Sequence, residues 1–139
     1  MQEYLEKFKA LSNATRLRII HLLIEKNTPL CVCEFTDALE VPQYNVSRHL
    51  KILKHAKLIE ENKEGRWVYF GLPKIEDEFT ELIIDAIRKI PKSILSKDLE
   101  EIDKRLAIRT NGKCLSGVKK AYLMSTHPIK DKINEGVEE

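Results

Sequence analysis

Two cysteines separated by a single residue lie in the stretch LCVCEF, at positions 30–35 of this 139-residue chain. Thiolates are the ligands that soft, thiophilic ions prefer. Residues i and i+2 of an extended segment point to the same side, so we expect Cys31 and Cys33 to converge on one ion. The helix predicted to follow them presents its positive end, which favours the anionic thiolate. The pair is therefore a candidate metal site.

Cys114, in the stretch NGKCLSG, is the only other cysteine of the chain. Three cysteines cannot all pair within one chain, and a reducing compartment keeps them as thiols, so no disulfide scaffold is expected. A single cysteine is more often core filler than a ligand. The sequence leaves open whether Cys114 lies in a solvent-exposed loop or folds back onto the pair, in the same or the partner subunit.

Charge is unevenly distributed along the chain. From Gln43 to Lys74, seven basic and three acidic residues give +4, whereas from Glu76 to Asp103, four basic and nine acidic residues give −5. The basic segment suits a polyanion, which indicates a nucleic-acid reader with a separate assembly element. The N-terminus lacks a signal pattern, and no apolar run approaches the roughly 20 residues of a membrane span. We therefore expect a cytoplasmic protein without membrane contact.

The spacing of apolar residues predicts a mainly α fold with a small β-hairpin. Two N-terminal helices, the second capped by Ser12, precede a brief helix over EFTDALEV and a fourth over QYNVSRHLKILKHAKL. LIEEN and RWVYFGL, joined by KEG, predict the hairpin. Two further helices follow, one over EFTELIIDAIRKI and one carrying Leu95, Leu99, Ile102 and Leu106 with Ser96 as its cap. This order is that of a winged helix-turn-helix.

Two regions are expected along the chain. Residues 1–92 are predicted to form the winged helix-turn-helix domain for DNA binding and dimerisation. Residues 93–139 are predicted to form a C-terminal helix and a loop-rich tail, because little periodicity is visible from Arg109 onward.

The fourth predicted helix has the pattern of a DNA-reading helix. With Val46, Leu50 and Leu53 toward the core, a polar and cationic face points outward. On this helix, base or groove contacts are predicted for Tyr44, Asn45 and Arg48, and phosphate contacts for Gln43, Ser47 and Lys51. At the hairpin tip, Lys63 and Arg66 are predicted to contact the adjacent DNA backbone or minor groove. The alternative is an ordinary solvated helix face, but the order of the elements and the cationic hairpin favour DNA.

Four ordered stretches, LSNATRLRIIHLL, LCVCEF, VPQYNVSRHLKILKHAKLI and EGRWVYFGL, together resemble the ArsR/SmtB family of metal-sensing repressors, and specifically its arsenic-responsive members. The resemblance covers roughly residues 1 to 90. It implies a homodimer formed by N- and C-terminal helices, binding to a palindromic operator in double-stranded DNA, and release of that operator when a toxic metal or metalloid occupies cysteines. Cys31 and Cys33, with Cys114 as the third thiol, are the implied ligands. Arsenite or antimonite, or cadmium or lead, is the implied inducer, with no obligatory cofactor.

Two departures from the family pattern bear on the ligands. Thr36 stands where the arsenic-responsive members carry a third thiol, and residues 79–90 contain no histidine for a zinc site. A redox-responsive repressor without a metal inducer is the alternative function. An enzyme is not expected, because the chain has no Cys-x-x-Cys, nucleophile elbow or phosphate loop.

Overall fold

The computed structural model describes residues 1–114, in which six helices accompany one two-stranded antiparallel sheet. The elements, in chain order, are α1 (Gln2–Leu11), α2 (Ala14–Lys26), α3 (Val32–Leu39), α4 (Gln43–His55), β1 (Glu60–Glu64), β2 (Trp67–Gly71), α5 (Glu78–Arg88) and α6 (Lys92–Ala107). The prediction of a mainly α winged helix-turn-helix is confirmed. None of the helices in this range is both long enough and apolar enough to cross a membrane.

Two helices begin at residues other than those predicted. The N-cap of α2 is Asn13, whose Oδ1 accepts a hydrogen bond from the Arg16 N–H at 3.0 Å, whereas Ser12 ends α1. An asparagine side chain satisfies an N–H group left open by the first turn, so it caps as well as serine does. Helix α6 begins directly after Pro91, one turn before Ser96, because proline tolerates a helix start where its missing N–H is not needed.

The third helix begins earlier than predicted and includes part of the cysteine pair. Cys31 is its N-cap, with extended backbone angles, and Cys33 lies within its first turn. The expected extended segment across both cysteines is therefore wrong. The Cys31 N–H donates to the Glu34 carboxylate at 3.1 Å, which satisfies a backbone group at the helix start.

The hairpin has a tighter turn than the predicted KEG connection. Glu64 pairs with Trp67, so the turn consists of Gly65 and Arg66. Gly65 has a φ of 63°, which is a left-handed conformation that glycine adopts without a steric penalty. Lys63 therefore lies within β1, opposite Val68, rather than in the turn.

The core lies around α2 and is closed by the hairpin and α6. Ile19, Ile20, Leu22 and Leu23 of α2 are buried. Backbone hydrogen bonds between Leu30 and Phe70, at 2.9 and 2.8 Å, attach the segment before α3 to β2. Helix α6 packs against α3 and α2. These contacts bring the start of α3, the strand β2 and the end of α6 together.

A buried histidine makes stability depend on pH. His21 is fully buried, and its Nε2 lies 3.6 Å from Glu25 Oε1. Burial lowers the pKa of His21, opposed by the charges of Glu25 and Asp98 and reinforced by Lys92. The unfolded chain therefore binds more protons below the ordinary value of 6.5, so stability falls as the pH falls.

We expect the free energy of unfolding in urea to decrease from about pH 7 to about pH 5, and His21→Leu to remove part of that decrease, on the order of 1 kcal/mol. His49 contributes in the same direction, because burial, Arg16 and Arg48 lower its pKa. His55→Gln, at an exposed position, is the control and should keep the parent's pH profile. An unchanged profile in His21→Leu contradicts the assignment.

Candidate metal site and DNA-binding surface

All three cysteine sulfurs meet in one cluster. Cys31 and Cys114 are joined as a disulfide, and the Sγ of Cys33 lies 3.1 Å from Cys31 Sγ and 2.8 Å from Cys114 Sγ. Cys31 and Cys114 are buried, and Cys33 is partly exposed. Within residues 1–114, this is the one group of candidate ligands with the spacing of a metal site, all its donor atoms lying within 4.8 Å of one another. Cys114 thus joins the pair from the same chain.

A short turn and a tyrosine place Cys114 against the pair. After α6, backbone hydrogen bonds between Thr110 and Lys113 close a tight turn, in which Gly112 has a φ of 73°. The Cys114 N–H then donates to the Tyr69 hydroxyl at 3.1 Å. Tyr69 is buried on β2 and packs with the cysteines. Tyr69 therefore packs within the hairpin and also positions the third sulfur.

A fully buried arginine borders the sulfurs. Nη2 of Arg105 lies 3.5 Å from Cys33 Sγ and 3.9 Å from Cys114 Sγ. On its other side, Nε of Arg105 lies 3.3 Å from a carboxylate oxygen of Asp37. A guanidinium in contact with sulfur stabilises negative charge there.

A second arginine fastens the end of α6 to the start of α3. Arg109 donates two hydrogen bonds, of 2.7 and 2.6 Å, to the buried carboxylate of Glu34. It also lies 5.5 Å from the centroid of the Tyr69 ring. Burial lowers the pKa of Arg109, but the hydrogen bonds to Glu34 and its charge outweigh that effect and leave the pKa above its ordinary value. The guanidinium stays charged, and its ion pair with Glu34 holds the segment after α6 against the start of α3, beside the cysteines.

Sequence reasoning missed the roles of Arg105 and Arg109. One signal was present, because Arg105 in the last turn of α6 and Arg109 just beyond that helix are four residues apart, and the acids Glu34 and Asp37 are three apart on α3. The spacing of the two acids places them on one face of α3. The arginines meet the acids only because α3 and α6 pack together, which no local sequence pattern indicates.

The donor set fits a thiophilic ion. An ion about 2.3 Å from each of three sulfurs separates them by roughly 4 Å. The sulfurs now lie 3.1 Å apart or closer, so the cluster must open by about 1 to 2 Å after reduction of the disulfide to admit one. The three ligating atoms are all soft sulfurs, and soft ligands select soft ions over Mg²⁺ or Ca²⁺. Forming the Cys31–Cys114 disulfide removes two of these ligands, so the thiol state is the binding state.

Helix α4 has the two faces that its sequence predicted. Val46, Leu50 and Leu53 are buried. The predicted DNA-contacting residues on this helix are exposed or, for Ser47, partly exposed: Gln43, Tyr44, Asn45, Ser47, Arg48 and Lys51. The Arg48 guanidinium lies 5.9 Å from the centroid of the Tyr44 ring. His49 faces inward, and its Nδ1 lies 3.1 Å from Nη1 of Arg16.

The hairpin adds basic side chains at the surface. Lys63 and Arg66 are exposed. The Arg66 guanidinium lies 5.0 Å from the centroid of the Trp67 ring. Phosphate groups of DNA favour such cationic surfaces.

A helix pair, α3 and α4, whose second helix has a cationic outer face and which is followed by a β-hairpin, defines a winged helix-turn-helix DNA-binding protein. The family described as "Bacterial regulatory protein, arsR family" matches residues 13–61. With the relatives below, this match shows that the chain belongs to the ArsR family of transcriptional regulators.

Three comparisons show the extent of the similarity. The chain is 42% identical over 78 residues to an uncharacterized HTH-type transcriptional regulator of Methanocaldococcus jannaschii, covering 56% of this chain and 84% of that protein. It is 42% identical over 72 residues to the arsenical resistance operon repressor of Bacillus subtilis, covering 52% and 68%. The structure of HlyU from Vibrio cholerae matches with a TM-score of 0.56 and 25% identity, covering 66% and 94%. The resemblance seen in the sequence is confirmed, and the protein is a transcriptional regulator rather than an enzyme.

Proposed function

We propose that this protein is a cytoplasmic, homodimeric repressor that leaves a palindromic operator when a thiophilic ion binds Cys31, Cys33 and Cys114. The candidate inducers are arsenite or antimonite, and cadmium or lead. The convergence of three sulfurs on the first helix of the helix-turn-helix carries this proposal. The similarity to a Bacillus subtilis protein named as an arsenical resistance operon repressor supports it.

The position of the cysteines connects the site to DNA. Cys31 and Cys33 lie at the start of α3, which packs against both α4 and α6. An ion bound by all three sulfurs holds the start of α3 to the turn after α6, and any shift of α3 moves the reading helix. If ion binding weakens operator affinity tenfold, the coupling free energy between the two sites is about 1.4 kcal/mol. Operator binding must then weaken ion affinity tenfold as well.

A redox-responsive repressor is the second candidate, and the disulfide between Cys31 and Cys114 favours it. Two thiols and one hydrogen peroxide give one disulfide and two waters, so the thiols lose two electrons and two protons. This reaction fastens α3 to the turn after α6 without any metal.

A titration separates the two candidates. The reduced protein, bound to fluorescently labelled operator, is titrated with arsenite or cadmium under anaerobic conditions, and separately with peroxide, while anisotropy reports release. Release by the ions and retention in peroxide support the metal-responsive repressor. Release by peroxide alone supports the redox-responsive one.

An exposed apolar surface supports the homodimer. Tyr4 and Phe8 of α1 contact the Phe79 ring edge-on, with centroids 4.8 and 5.6 Å apart. Phe8 and Leu82 remain 57% and 58% exposed. We call this surface, formed by Tyr4, Leu5, Phe8, Phe79 and Leu82, the α1–α5 face. A contiguous apolar surface on two helices suits a second copy of the same face across a two-fold axis.

Two substitutions are expected to weaken operator binding in different ways. Arg48→Ala should weaken the free energy of operator binding by about 1–3 kcal/mol, because a groove contact is lost. It should also reduce the discrimination between operator and unrelated DNA. Lys63→Ala should weaken binding to all DNA sequences by a similar factor and reduce the salt dependence of the affinity, because a phosphate contact is lost. Anisotropy titrations over a salt series, on operator and scrambled DNA, measure both. Equal signatures for the two variants contradict the assigned roles.

Removing the third sulfur tests the ligand set. We expect Cys114→Ser to weaken arsenite binding and to leave operator affinity unchanged, because a hydroxyl nearly preserves the size of the side chain and removes the soft ligand. X-ray absorption of the arsenite complex should show three sulfur neighbours in the parent and two in the variant. A three-sulfur shell in Cys114→Ser excludes Cys114 as a ligand.

A further inference from the structure

We propose that Arg105 shifts the selectivity of the three-cysteine site toward divalent thiophilic cations and away from arsenite. The inference rests on the proposed function, since it assigns a selectivity determinant to the same site. It concerns a residue that contributes no ligand atom, and it follows from the charges of the complexes that the site can hold.

The two kinds of inducer leave different net charges on the cluster. Arsenous acid and three thiols give a neutral arsenic trithiolate and three waters, with one As–S bond formed for each As–O bond broken. Cadmium(II) and three thiols give a trithiolate of charge −1 and release three protons. Lead(II) behaves as cadmium does. A neighbouring fixed cation therefore stabilises the divalent complex and leaves the arsenic complex nearly unaffected.

The position of Arg105 makes this difference large. Its side chain is fully buried in the last turn of α6, and its Nη2 lies within 3.9 Å of two of the three sulfurs. Charges interact more strongly away from water, and an anion buried without a cationic neighbour is costly. The carboxylate of Asp37, 3.3 Å from Nε of Arg105, opposes the effect of the arginine.

Opposite changes are therefore expected from the two members of this ion pair. Arg105→Met should lower the ratio of cadmium affinity to arsenite affinity by a factor on the order of ten or more. Asp37→Asn should raise the same ratio, because the opposing negative charge is removed. Arg105→Lys, which keeps the charge, should stay close to the parent.

The matched control is Arg18→Gln. Arg18 also forms an ion pair with a residue of α6, through two hydrogen bonds of 2.8 and 2.9 Å to Asp98, and it donates to the Leu39 carbonyl oxygen at the end of α3 opposite the cysteines. Its loss should leave the affinity ratio unchanged. Circular dichroism and operator affinity in the absence of ions establish that each variant is folded.

The ratio is measured directly by displacement. Arsenite is titrated into reduced, cadmium-loaded protein, and the decrease of the sulfur-to-cadmium charge-transfer absorbance reports the exchange. A lower ratio in Arg105→Met together with a higher ratio in Asp37→Asn establishes the inference. If the parent binds both ions through its cysteines and neither substitution changes the ratio, the inference is wrong and the proposed function stands. If the parent binds neither ion, the proposed function itself fails.

Discussion

Cys33→Ser is expected to give a repressor that binds its operator normally and no longer responds to arsenite or cadmium. The Sγ of Cys33 lies 3.1 Å from that of Cys31 and 2.8 Å from that of Cys114, so its loss leaves the site with only two of its three soft ligands. Operator affinity should stay within about twofold of the parent, whereas release should need an ion concentration on the order of a hundredfold higher or fail altogether. Anisotropy of labelled operator, with ion added stepwise, measures both quantities.

Thr36→Val provides the matched control for that variant. Thr36 lies one turn later on the same helix, and valine replaces its hydroxyl with a methyl group of similar size. This variant should release the operator at the parent's ion concentration, because no sulfur is changed. Normal release of the operator by Cys33→Ser would mean that the responsive site lies elsewhere.

Phe8→Asp is expected to convert the protein to a monomer with at least about a hundredfold weaker operator binding. Phe8 is more than half exposed on the α1–α5 face, and a carboxylate there places two like charges in the apolar contact between copies. A monomer holds one half-site and loses the gain of engaging two half-sites about one helical turn apart. Analytical ultracentrifugation and anisotropy test the two parts of the prediction.

Ile94→Asp is the control for the dimer contact. Ile94 is 71% exposed on α6, outside the α1–α5 face. Its substitution should therefore change neither the mass of the assembly in solution nor the operator affinity. A Phe8→Asp protein that remains dimeric contradicts the assignment of this face.

The sequence predicts local features of this fold well. The reading helix was predictable because the spacing of Val46, Leu50 and Leu53 determines which side of the helix enters the core. Convergence of the cysteine pair was predicted from an extended segment, whereas it arises between an N-cap and the first helical turn. Periodicity resolves helix ends poorly, because the cap depends on individual hydrogen bonds such as that from the Cys31 N–H to Glu34.

The rest of the site depends on contacts between distant parts of the chain. Cys33 and Cys114 are 81 positions apart, and Arg109 is 75 positions from Glu34. No local pattern states that α6 returns to α3, so the sequence alone left the position of Cys114 open and gave Arg105 no role. These residues became identifiable only when the packing of α6 was known.

The location of Cys114 beyond α6 also bears on what a shortened chain can do. Helices α3 and α4 and the hairpin all precede residue 72, so a protein cut by a protease between α6 and Cys114 keeps its reading helix. It loses the third sulfur. Under the proposed function, such a fragment is expected to occupy the operator as a poorly inducible competitor of the intact protein. Cleavage at this point is therefore expected to leave the regulated genes silent rather than permanently active.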